Sequence, residues 1–357
     1  MCAADDKSRY FTSLTFGRRR AAVLLLPFIL TVTIIAATGT GAVPVPPGEI
    51  VTIIFAKLPV VGNLCNTTVS PVHETIIMLV RLPRVILAAL AGAALAAAGV
   101  VLQALFRNPL ADPYLIGASS GAALGGCLAI LIYPGFLIGS FGALPVFAFL
   151  GALGAVMMVF SLAQSTNRVS VGALLLAGIA VASFFGSVVS LLVFVSGSRL
   201  QPLIYWLMGS FSARNWSHVA IALPYIVATL MLLACLTREL NVLLLGEENA
   251  QHLGVPVEKV KKLLLGAATL LTAASVAVAG PIGFVGLIIP HVARLVFGPD
   301  HRLLLPAAVL TGATFLVGAD LLARMVIAPG EIPVGIITAI CGGPFFAYLL
   351  WRRRGEI

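Results

Sequence analysis

Asp320 is the only carboxylate set well inside an apolar segment of this 357-residue chain, and Arg324 follows it one helical turn later. A carboxylate so placed can carry a proton across a membrane, or it can form a local ion pair with a neighbour at i+4. The built-in arginine favours the ion pair, and Gly312 and Leu316 share the same helical face. His291, near the end of another apolar run, could ligate an ion, but a lone histidine at that place reads as structural. Nothing else assembles a reaction centre. There is no GxxxxGK[ST] phosphate loop, no HExxH, no GxSxG and no pair of intramembrane carboxylates, so neither catalytic residues nor a protein-bound metal or cofactor is expected. The cysteines, Cys2, Cys65, Cys127, Cys235 and Cys341, are scattered without CxxC spacing. Cys127, Cys235 and Cys341 lie in apolar runs and read as small buried residues, while Cys65 is expected to face an oxidising compartment.

The elements that must position these groups follow from composition. The chain is 60% hydrophobic and 10% charged, with a mean hydropathy of +1.09, whereas a soluble domain carries about 25% charged residues. Apolar windows close to twenty residues long recur, and they are apolar on every face rather than alternating, so they predict membrane-spanning helices and not barrel strands. The expected fold is an all-α polytopic bundle of ten helices, near 21–38, 83–105, 113–133, 142–163, 171–196, 217–236, 260–279, 284–298, 304–327 and 333–351. Laid on that topology with both chain ends cytoplasmic, sixteen of the 22 Lys and Arg fall inside and six outside. That bias supports the orientation, and it explains the net charge of +9 without nucleic acid. Residues 1–20 then form a cytoplasmic tail, 21–352 a single transmembrane domain and 353–357 a second tail. A short apolar piece near 50–62 is expected at the outer interface.

Three stretches interrupt the apolar pattern. "FRNPLADPYLIGASSGAALGG", 106–126, turns the chain at the inner side: Pro109 and Pro113 prevent a continuous helix, while Asn108 and Asp112 suit turns and caps. "TRELNVLLLGEENAQHLGVPVEKVKK", 237–262, is the longest inner loop, and in it Gly246, Glu247 and Glu248 open a short helix that Gly254 and Pro256 end. "AGPIGFVGLIIPHVAR", 279–294, is a Gly/Pro-broken start to the eighth helix. Small residues at Ala89, Ala93 and Ala97, and the Gly121 to Gly125 step, point to close helix packing.

These stretches, with "RLPRVILAALAGAALAAAGVVLQAL", "LIYWLMGSF" and "GEIPVGIITAICGGPFFAYLL", carry a resemblance over about 75–352 to the permease subunits of bacterial type II ABC importers, which move iron-siderophores, haem and cobalamin. The resemblance implies a ten-helix protomer working as a homodimer in the cytoplasmic membrane. Beneath it lie two ATPase subunits that bind ATP and Mg, and a periplasmic or lipid-anchored binding protein delivers substrate from outside. The family's cytoplasmic gates match Asn108 and Leu110, and Val171 and Gly172. Its ATPase-coupling helix matches Gly246, Glu247, Glu248, Ala250, Leu253 and Gly254. Its docking arginines match Arg81, Arg84 and Arg324. The second gate lacks the hydroxyl residues of the cobalamin permease, which weakens an assignment to cobalamin. The rival reading is a proton-coupled secondary transporter using Asp320.

Overall fold

The computed structural model describes residues 16–41, 43–56, 70–133, 137–138, 141–165 and 168–353. Cys2, Cys65, Lys57 and most of both tails therefore lie outside the described residues. The chain begins with α1 (Phe16–Gly39) and the short α2 (Pro47–Ala56). Then α3 (Pro71–Thr75), a π-helical stretch (Ile76–Arg81) and α4 (Leu82–Leu105) run on as one 35-residue rod. A 3-10 turn (Pro113–Ile116) leads into α5 (Ala118–Ile132), followed by α6 (Ala143–Ala163), α7 (Val171–Phe194), α8 (Leu200–Leu207) and α9 (Trp216–Cys235). Two short helices, α10 (Thr237–Leu243) and α11 (Glu247–His252), precede α12 (Val257–Ala279), α13 (Val285–Phe297), α14 (His301–Met325) and α15 (Val334–Arg353). Two antiparallel hairpins of two-residue strands, β1 (Leu137–Ile138) with β2 (Phe141–Gly142) and β3 (Gln164–Ser165) with β4 (Arg168–Val169), join α5 to α6 and α6 to α7.

Each of the ten expected segments falls on a helix. Seven of the spans are long and apolar enough to cross a membrane alone, whereas α5, α13 and the apolar part of α15 (Val334–Leu349) are shorter. The 113–133 segment starts as a helix only at Ala118, because Asp112 caps a 3-10 turn that Gly117 ends at φ 80°. The apolar piece near 50 becomes α2, whose Ile50 and Ile53 pack on Ile77. The helix α8 was not expected, since eight residues between Arg199 and Gly209 are too short for a spanning pattern.

The Ala-rich α4 is the centre of the bundle, with 83% of its apolar window buried against 17% for α7. Its small side chains let α14, α12 and α13 approach closely. At Gly92 and Gly312 the α4 and α14 backbones come so near that a methyl on either would overlap the other's carbonyl. Gly121 makes the same approach to Gly151 across α5 and α6, which accounts for the GxxxG step. Cys127 is buried as expected, but Cys235 and Cys341 are exposed. In a membrane protein an apolar run marks contact with lipid as readily as burial in protein.

Candidate functional site

At the end of the bundle where α1 and α14 finish and α4 begins, five charged side chains converge. Arg84 faces Asp320 with Nε and Nη2, at 2.8–3.1 Å. Its Nη1 donates to both Glu331 oxygens at 2.9 Å. Arg324 approaches Asp320 at 3.3 Å and donates to the carbonyls of Ala37 and Thr40. Arg81 donates to the carbonyls of Thr38, Gly39 and Val43, at 2.6–3.1 Å. The last carbonyls of a helix lack intrahelical partners and carry partial negative charge, so two guanidinium groups close the end of α1. Asp320 is 1% exposed, Arg81 7% and Arg84 8%. The three arginines expected on the outer surface are thus engaged within the protomer. Guanidinium groups this buried need their carboxylate and carbonyl partners near, and the folded chain supplies them. Glu331 belongs to the same cluster and was missed, although it stands in the quoted GEIP block.

The opposite end is built differently. Phe106 and Arg107 close α4, with Arg107 in the left-handed region at φ 47°. The Asn108 side chain accepts from the Leu110 N–H at 2.9 Å and holds a tight Asx turn. Asn108 is exposed and Leu110 half-buried. Tyr114 then ties this turn to the broken segment before α13, because its hydroxyl donates to the Ile282 carbonyl and accepts from the Ile282 N–H. Burial pushes the Asp112 carboxyl up to about 6, with the hydrogen bond from the Tyr114 N–H opposing it. Val171 and Gly172 open α7, and Val171 lies beside Leu105, Phe106 and Phe160. The two expected gate turns therefore neighbour one another at the same end.

The expected surface helix is present as α11. Gly246 precedes it at φ 105° and Gly254 follows it at φ 81°, conformations that suit glycine. Ala250 is fully buried, whereas Leu253 is 58% exposed. Glu247 binds Lys261 of α12 at 3.0 Å, and Lys261 also meets Glu258 at 3.4 Å. Glu248 is exposed. An open cleft of about 320 Å³ lies between α11 and Arg107, and a methyl added at Gly246 would meet the Arg107 guanidinium at 3.7 Å. Arg107 thus brings the turn after α4 beside the surface helix across this cleft, a proximity that no sequence spacing signals. Before α11, α10 is anchored by Asn241, which donates to Asp300 at 2.7 Å and accepts from the His301 N–H at 2.9 Å. Partial burial would raise the Asp300 carboxyl, but the Arg302 N–H, the Asn241 amide and the Arg302 charge together hold it below the usual range. His291 is buried with its ring edge-on to Phe345.

Comparison with known proteins agrees with this architecture. The FecCD transport family matches residues 29–352. The chain is 45% identical to the cobalamin import system permease protein of Halobacterium salinarum, over 92% of this chain and 90% of that protein. It is 43% identical to the hemin transport system permease protein of Yersinia pestis, over 82% and 88% respectively. A solved structure described as an inward-facing transporter of the metal-chelate ABC type superposes with a TM-score of 0.79 at 34% identity, covering 93% of this chain and 99% of that one. A family match running almost from end to end, on a multi-pass apolar bundle, makes this chain a membrane permease of the FecCD transport family.

Proposed function

We propose that the protein is the permease subunit of an ATP-driven importer for a metal chelate of the siderophore, haem or cobalamin class. The observation that carries this reading is the continuous likeness over 29–352, which includes both the turn at 106–117 and the surface helix α11. Relatives named for cobalamin and hemin transport support the cargo class. The chain contains no phosphate loop, so ATP and Mg bind to a separate ATPase pair that docks on α11. A second copy of the chain completes the pore, and α7, with Phe184 and Phe194 63% and 87% exposed, offers apolar surface for such contacts. ATP-driven closure of the ATPases moves α11, and Arg107 passes the motion to Asn108 and Leu110, while Val171 and Gly172 shift beside them.

A binding protein docks at the opposite end. Three guanidinium groups against two carboxylates leave that cluster one positive charge in excess (3 − 2 = +1). Arg81, Arg84 and Arg324 steer an acidic partner by that field rather than by freely exposed side chains. The ion pairs of Asp320 with Arg84 and Arg324 favour a structural role for it over the proton site of a secondary transporter.

The test is uptake of a ferric or cobalt chelate into proteoliposomes that contain the permease with its ATPase. Uptake is expected to need internal ATP and to stop when the ATPase phosphate-loop lysine is replaced. Uptake driven by a proton gradient alone would overturn the reading. A cysteine replacing Asn108 is expected to cross-link between protomers in one nucleotide state and less in another.

A further inference from the structure

On one side of the bundle, α6 and α12 part to leave an open groove of about 520 Å³. Its walls are Leu153, Val156, Met157 and Phe160 from α6 and Leu265 from α12, and Gly266 forms an opening in the α12 wall. A methyl added at Gly266 would meet no atom within 4 Å, so the space is real and unoccupied by the protein's own side chains. Lys262 and Gln164 stand at one end of it, while the Ser161 and Thr269 hydroxyls that also line it are spent on the Met158 and Leu265 carbonyls of their own helices. This is the end that carries α11 and Arg107, which the basic residues mark as cytoplasmic.

Two neighbouring lysines divide at this place. Lys261 is buried and satisfied by Glu247 and Glu258. Lys262 turns the other way, is exposed, and holds its ammonium 5.9 Å from the centre of the Phe160 ring. Among the described residues no carboxylate pairs with Lys262. The rim therefore offers a cation without a counter-charge above a greasy trough. Along α6 the trough runs from Leu153 to the helix end at Ala163, with Gln164 just beyond it, ten helical steps or about 15 Å at 1.5 Å per residue. Half of a ~30 Å hydrocarbon core is about 15 Å, so the groove has the depth of one leaflet.

We propose that this groove is a binding site for an anionic phospholipid of the inner leaflet. Its phosphate pairs with Lys262 and takes a hydrogen bond from the Gln164 amide. One acyl chain lies along α6 and crosses the face of Gly266. A basic pocket between helices on the cytoplasmic side is the expected form of such a site. The site adjoins the inner gate, since Phe160 and Lys262 also border the small space beside Val171 and Leu105. A bound lipid thus props the side of α6 that backs the start of α7. The inference depends on membrane location alone and is independent of the cargo.

Retention of dioleoyl phosphatidylglycerol by the purified full-length protein, measured by native mass spectrometry against dioleoyl phosphatidylcholine, tests it. The wild type is expected to keep phosphatidylglycerol preferentially. Lys262→Gln should weaken that preference about fivefold, the effect of one basic residue at a lipid surface. Gly266→Leu projects a side chain into the trough from a position where an added Cβ meets no protein atom within 4 Å, so it should reduce retention of both lipids while the protein stays folded and in the same oligomeric state. Equal retention of the two lipids by wild type, or unchanged phosphatidylglycerol binding in both variants, overturns the proposal. So does a change of oligomeric state in Gly266→Leu, which would assign the groove to a second copy of the chain.

Discussion

The two ends of this bundle use charge in opposite ways. At the end where α4 begins, Arg81, Arg84, Arg324, Asp320 and Glu331 form one connected cluster that joins α1, α4, α14 and the segment before α15. At the other end the links are small and local. Glu247 and Glu258 meet Lys261, Tyr114 ties its turn to Ile282, Arg107 lies across a cleft from Gly246, and Arg107, Gly246 and Gly254 lie at positive φ. A buried network with several partners resists displacement, because moving one group strands another in a dry site. Small local contacts around glycine joints let short pieces shift at little cost. One end is thus fastened and the other is articulated, a division that suits the ATP-driven import proposed for this permease.

The sharpest way to break that comparison is at Arg84. Arg84→Ala leaves Asp320 buried with only the longer contact from Arg324. Removing one partner of a buried pair costs about 3–5 kcal/mol. The thermal midpoint of the detergent-solubilised protein should fall accordingly. Glu331→Gln should cost far less, since that side chain is 38% exposed and water can replace its contacts. If both variants melt alike, the cluster is no fastening.

Much of the bundle was legible in the sequence because lipid imposes a simple demand. A spanning helix needs about twenty apolar residues, and nothing in the pattern hides them. The bounds of α11 were legible too, because Gly246 and Gly254 take backbone conformations that other residues avoid. The arginine cluster was not. Arg84 and Asp320 are 236 residues apart, and Arg81 meets carbonyls of α1, which present no side-chain signal. Helix order placed these arginines at the outer end, against the positive-inside bias, but it could not tell an exposed cation from one turned inward. The α8 helix escaped for a related reason. Periodicity needs length, and eight residues do not supply it.

A smaller effect is expected where α10 meets α14. The Asp300 side chain accepts from the Arg302 N–H at 3.0 Å and from Asn241 at 2.7 Å, capping α14 and fixing α10 together. Asp300→Ala should cost about 1 kcal/mol, the usual value of an N-cap. Because the folded carboxyl titrates below the unfolded one, its contribution is complete above about pH 3.9 and fades as pH falls through the lower folded value. The difference in melting between wild type and Asp300→Ala should therefore shrink in acid. A difference that grows on acidification would reverse the assignment.

The smallest stability change, with the largest functional one, is expected at the articulated end. Leu253 is 58% exposed, and Arg107 is exposed with its guanidinium near Gly246. Leu253→Asp removes an apolar contact from the surface of α11 without opening a cavity. Arg107→Asn keeps a residue that tolerates the left-handed turn but is too short to reach Gly246. Surface changes of this kind move stability by no more than about 0.5 kcal/mol. If α11 receives the ATPase stroke and Arg107 hands it to Asn108 and Leu110, both variants should assemble with the ATPase and hydrolyse ATP. Each should nevertheless import severalfold less chelate per ATP consumed. Arg107→Asn should in addition blunt the nucleotide dependence of cross-linking by a cysteine at position 108, which Leu253→Asp tests from the ATPase side of the same link. Unchanged coupling in both would mean that the stroke reaches the gate through the α12 backbone, by way of Glu247 and Lys261, and that the proximity of Arg107 to Gly246 is incidental.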